Sequence, residues 1–235
     1  MKPYLTALGL LSLFAAFALS APAQTSNCLD VADEPHHQLL YSNQDVRVFL
    51  LELPRLASTE LFCHSHSYFY VVPAEGRSST TPEGQATFSH DWHGGETRFI
   101  YAPVKHVVRN ESINPYREIV VETLHRVEYK PFDGNYDTDE IAGDLGSAKP
   151  TWTISTTHGP LGASKTQLAP GADHIPMGAG QVLIALTDLE LKREREGLPA
   201  QTIDLSAKEV QILSGGTVKL TNTGARPAKF ITVEF

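Results

Sequence analysis

Apolar and polar residues alternate along the chain in short runs. Val46 to Leu53, Tyr68 to Val72, Arg98 to Ala102, Glu118 to Thr123, Gln181 to Thr187, Gln211 to Leu213, Val218 to Thr221 and Lys229 to Phe235 are rich in β-branched and aromatic residues and are separated by Gly, Pro, Asn and Asp. This pattern predicts strands throughout, and hence an all-β chain. Asp188 to Gly197 is the one charged run where a helix competes, with a solvated hairpin at least as well supported.

The run of motifs also repeats. Asn110, Pro115, Ile119, Val121 and Glu122 recur with identical spacing as Asn222, Pro227, Ile231, Val233 and Glu234, and Leu53 to Glu75 matches Leu168 to Glu190 more loosely. Two copies of one β unit are therefore expected. Between them, residues 130–150 carry Pro, Gly, Asn and Asp without periodicity and read as a linker. That sets the units at 24–129 and 151–235, each large enough to close into a small barrel without exposed edges.

Met1 to Ala23 is laid out differently. Lys2 is followed by the apolar run Leu5 to Leu19 and the small residues Ala21-Pro22-Ala23, the plan of a signal peptide. The run is short for a spanning helix, which needs about 20 residues. A periplasmic or secreted mature chain is predicted, with no membrane attachment after cleavage. A net charge of -8 over 235 residues would repel phosphate backbones, so nucleic acid is not an expected partner. Cys28 and Cys63, the only cysteines, both lie in the exported part, where a bridge and two free thiols are equally open.

The candidate chemistry lies in the histidines. Read as an extended segment running into Tyr68 to Val72, His64, His66, Tyr68 and Tyr70 share one face, with Cys63, Ser65 and Phe69 on the other. Two imidazoles so placed can converge on one ion, with further ligands supplied from elsewhere. Downstream, Gly94-Gly95 leads through Pro103 to His106 and then Asn110.

On these residues the chain resembles the cupin superfamily, over most of its mature length and as a bicupin. His64 and His66 match the His-x-His of that family's first motif and Gly76 its closing glycine. His106 and Asn110 match the His-x-x-x-Asn of the second. The resemblance implies two tandem jelly-roll barrels and a divalent metal held by His64, His66 and His106 in the first. Tyr70 stands where the family has a ligating Glu, and the turn from Pro103 to His106 is shorter than the family's. Three-His cupin sites are associated with iron-dependent dioxygenases, which favours Fe(II), with Mn, Ni or Zn open. Tyr70 would then contact substrate or bound oxygen, or simply pack. A small-molecule substrate is implied if the barrel is catalytic, and a small-molecule or partner ligand if it is not. A homo-oligomer is compatible with either.

The second copy lacks the set: the repeat aligns His64, His66, Tyr70 and His106 with Ala179, Gln181, Ala185 and Val218. It reads as a structural partner or an organic-ligand pocket, with His174 at a turn or on the surface. His90 and His93 read as a surface hairpin, with either imidazole able to reach the pocket mouth as the alternative, and His36 and His37 as neighbours that face opposite ways. Asn110-Glu111-Ser112 has the form of a glycosylation sequon, but its copy at Asn222 suggests a turn. No nucleophile elbow, phosphate loop or dinucleotide fingerprint is present.

Overall fold

The computed structural model describes residues 28–128 and 150–235, except 177, 179 and 215. The predicted signal segment, nearly all of the predicted linker and Ala179 lie outside the described residues. Among the described residues there is no helix. The first half forms β1 (Leu29–Asp30), β2 (His37–Ser42), β3 (Val46–Leu53), β4 (Phe62–His64), β5 (Tyr68–Val72), β6 (Gly76–Pro82), β7 (Phe88–Trp92), β8 (Glu96–Ile100), β9 (Val104–Asn110) and β10 (Tyr116–Thr123). The second forms β11 (Trp152–His158), β12 (Leu161–Leu168), β13 (Asp173–His174), β14 (Gly180–Ala185), β15 (Leu189–Glu194), β16 (Gln201–Leu205), β17 (Val210–Ser214), β18 (Lys219–Asn222) and β19 (Ala228–Glu234). The charged run after Asp188 is thus a hairpin limb, β15 pairing with β16.

Each half is a pair of sheets. The orders are β1-β4-β9-β6-β7 and β2-β3-β10-β5-β8 in the first, and β13-β18-β15-β16 and β11-β12-β19-β14-β17 in the second. Alternation along β3 turns Phe49, Leu51 and Leu53 into the first barrel and Val46 and Val48 out of it. The outward residues are not solvated. Phe69, Val71, Ile119 and Val121 share one core with Val182, Ile184, Ile231 and Val233. The repeated Ile-x-Val of β10 and β19 is therefore the seam between the barrels, each presenting the same face of the repeat to the other. At its margin Gly95, at φ +86°, approaches so closely that a Cβ there would lie 2.7 Å from Leu186 Cδ1.

The repeated Asn is a lock on the chain reversal that follows β9 and β18. Asn110 Nδ2 donates to the carbonyls of Leu53, Pro54 and Asn114, and its Oδ1 accepts from Ser112 N. Asn222 does the same with Leu168, Arg226 and Gly224. Replacing Asn222 by Ala leaves these buried groups without partners and is expected to destabilise the protein by about 2–3 kcal/mol in urea unfolding. A loss below about 0.5 kcal/mol would mean water replaces the side chain.

The registers also refine the repeat. Tyr68 and Tyr70 pair with Glu122 and Val120, while Gln181 and Leu183 pair with Glu234 and Thr232. Tyr70 therefore corresponds to Leu183 and not Ala185, a two-residue slip that keeps the inward face but changes the partner. Gln181 corresponds to Tyr68 and not His66.

Candidate functional site

The first barrel encloses a cavity of about 370 Å³, within the range of small-molecule sites. Tyr68 and Tyr70 reach it from β5, Arg98 from β8, His106 from β9, and Tyr116 and Glu118 from β10. All are inward positions of alternating strands. The matching inward positions of the second barrel carry Gln181, Leu183, Gln211, Val218, Ala228 and Phe230, of which Leu183, Val218, Ala228 and Phe230 belong to its apolar core.

Tyr116 donates its hydroxyl proton to Glu118 Oε2 at 2.7 Å. Burial pushes the Glu118 carboxyl up to about 7, although that hydrogen bond pulls the other way. Glu118 thus holds its proton more tightly folded than unfolded. Its stabilising share is full below the ordinary value near 4.5 and is lost as the pH rises through about 7. The Glu118→Gln variant is expected to lose this fall in stability between those two pH values, measured by chemical unfolding at a series of pH values. An unchanged slope would mean that the Glu118 proton is held no more tightly in the folded chain than in the unfolded one.

The predicted metal set is only partly assembled. His64 ends β4 and is 2% exposed, and His106 sits in register with Phe62 on the adjacent β9, so both face inward. Their ring centroids lie 5.6 Å apart. His64 Nδ1 lies 2.6 Å from Glu122 Oε1, and Arg47 holds the other carboxylate oxygen at 2.6 Å. Burial, with His37 and Arg47 nearby, pushes the His64 imidazole well below its usual range, so it is neutral and donates Nδ1–H to Glu122. Burial, with His64 and His37, likewise takes His106 down to about 3. His64 also stacks on Tyr68 at 4.0 Å.

His66 does not continue this face. β4 stops at His64, the chain bends at Ser65 and His66, and β5 begins in the other sheet, so the assumed extended alternation is broken. His66 is half-buried and acts electrostatically on Glu122. Tyr70, the remaining inward residue, offers a phenol, a reluctant ligand, and lies 5.7 Å from the Trp92 ring. Among the described residues no group of three or more His, Cys, Asp or Glu is placed to hold a metal ion.

Several polar residues of this interior were not singled out from sequence. Glu34, at the turn before β2, accepts from both His36 at 3.0 Å and His37 at 2.7 Å. Burial alone would raise its carboxyl, but the bonds from His37 and His36 hold it at about 2. Arg98, Tyr116, Glu118 and Glu122 were available from one signal: in Glu-Thr-Arg-Phe-Ile and Tyr-Arg-Glu-Ile-Val-Val-Glu, Arg98, Glu118 and Glu122 fall in phase with the inward positions of their strands. His174 is half-buried on β13 with its ring 6.0 Å from Phe230.

No family model matches the chain, and no curated protein matches it. Solved structures do. AerE from Microcystis aeruginosa is 12% identical, with a TM-score of 0.57 over 85% of this chain and 97% of its own. An oxalate decarboxylase is 11% identical, with a TM-score of 0.55 over 81% of this chain and 69% of its own. The Bacillus subtilis oxalate decarboxylase, described by its Mn(II) centres, matches equally well. Likeness at this identity concerns the fold, and with the paired sheets and the repeat it leads to one conclusion: the chain has a cupin-type fold, with two β barrels in tandem.

Proposed function

We propose that the first barrel binds a small organic molecule in its cavity while the second serves as its structural partner. The observation carrying this reading is the contrast between equivalent interior positions: Tyr70, His106 and Glu118 surround open space in one barrel, and Leu183, Val218 and Phe230 fill the other. A carboxyl poised near neutrality beside a phenol also equips the cavity to hand a proton to a bound ligand or take one from it. The chain carries one tryptophan in each barrel, Trp92 and Trp152, so a Trp152→Phe background makes emission a report on the cavity alone. Small organic molecules that shift Trp92 emission in wild type are expected to lose that effect in Thr80→Phe, which fills the cavity. Persistence of the effect in the filled variant, or no responding molecule at all, would overturn the proposal.

A second reading places a divalent ion, iron by the family likeness, on His64, His66 and His106, with oxidation of a small molecule as the activity. It is favoured by the Nδ1 of His64 resting on Glu122, the outer partner that metal-bound imidazoles commonly have. It requires His66, from the bend that follows β4, to join the two imidazoles on one ion. Metal analysis of the purified chain against His64→Ala and His106→Ala decides it: stoichiometric metal lost in both variants supports this reading, and no metal after reconstitution refutes it. We also propose that the chain is exported. The layout of residues 1–23 and the Cys28–Cys63 bridge support this, and the mass of the mature protein from an exporting host tests it.

A further inference from the structure

Arg98 is 5% exposed and lines the cavity, yet no carboxylate pairs with it among the described residues. Its guanidinium lies 4.9 Å from the centroid of the Trp92 ring. Its Nη2 is 3.4 Å from His90 Nδ1 and 3.2 Å from His90 Nε2. Near-equal distances to two nitrogens of one ring put the donor over the ring face, since in the ring plane it would collide with the carbon between them. These are stacking contacts, and neither nitrogen is a good acceptor for it. Its Nε–H is buried with no acceptor. The nearest acid on the same strand face, Glu96, is engaged elsewhere: Oε2 with His90 Nε2 at 2.9 Å and Oε1 with the backbone N–H of His93 at 2.8 Å. Glu118 is two strands away and bonded to Tyr116.

Stacking on aromatic rings compensates a buried cation only in part, and a buried guanidinium without an anion is an incomplete arrangement. Arginine presents a planar fork that matches a carboxylate with two parallel hydrogen bonds. Tyr70, in register with Arg98 on the neighbouring strand, and Trp92 flank it, and Phe88 adds a third aromatic ring to the lining of the same cavity. We propose that the ligand of this cavity is a small organic carboxylate, its head group held by the Arg98 fork and its body laid against these three rings. The inference rests on the reading of the first barrel as a ligand-binding barrel and adds the chemical class.

The test titrates benzoate, phenylacetate and hexanoate, each against its own primary amide, into the Trp152→Phe protein with Trp92 emission as readout. At least one acid is expected to bind about tenfold or more tightly than its amide, since a charge-assisted pair is roughly twice as strong as a neutral one. In Arg98→Met the acid and amide should bind alike. In Arg98→Lys, which keeps the charge and loses the fork, part of the preference should survive. Because the comparison is made first in the parent protein, a variant that fails to fold does not leave the question open. Equal binding of acids and amides would overturn the inference and leave the cavity a binding site. No binding by any member, with neutral molecules binding elsewhere in the broader screen, also overturns it, and a silent screen removes both readings.

Discussion

Phe69→Ala is expected to cost about 3–5 kcal/mol and to weaken both barrels together. Phe69 is 0% exposed on the outward face of β5, with its ring 5.0 Å from Phe99 and 5.6 Å from His158 of the other barrel. His158 in turn stacks on Phe99 at 4.4 Å. Truncation opens a void in the one core the barrels share, and close-packed surroundings relax only partly around such a void. Urea unfolding followed separately through Trp92 and Trp152, in proteins keeping one tryptophan each, should show coincident midpoints that fall together. If the Trp152 transition stays in place while the Trp92 transition drops, the barrels are not one cooperative unit.

Loss of the Cys28–Cys63 bridge should have an effect of similar size. The two half-cystines are separated by 35 residues, and opening a loop of that length costs about 3–4 kcal/mol on the chain-entropy account. The bridge also fixes β1, which pairs parallel to β4 over only Leu29 and Asp30. Asp30 in turn accepts from Arg47 at 3.1 Å, the residue that holds Glu122 against His64. Cys28→Ser is expected to match the effect of reductant in urea unfolding. A loss under about 1 kcal/mol would mean that β1 stays docked through its own pairing.

The strands most legible in the sequence are those apolar on both faces. Val46 to Leu53 and Tyr68 to Val72 coincide with β3 and β5 because the inward and outward positions of both are mostly apolar, one set for the barrel and the other for the seam. β6, with its run of Ser and Thr, and β11 carry too few apolar residues to stand out, since they are held by ladders on both sides or by the seam. The candidate site was legible in part. His64, His106 and Tyr70 do face one interior, but the face shared by His64 and His66 depended on a continuous strand. A bend of two residues between sheets has no signature in Cys-His-Ser-His-Ser-Tyr. Arg98 and Glu118 share the phase of the inward positions, but that phase becomes a signal only once the interior side of each strand is known, because a charged residue in an apolar run otherwise reads as its solvated face.

Asn110 heads a sequon, yet its side chain is 0% exposed and its amide is committed to three carbonyls. A glycan attached there while the chain is still being threaded into a secretory lumen would replace one of the two amide hydrogens that close the corner, and the buried site leaves no room for the sugar. Production in a glycosylating host should therefore give two populations, an unmodified one that folds and a modified one that never closes its first barrel, whereas a bacterial periplasm should give only the former.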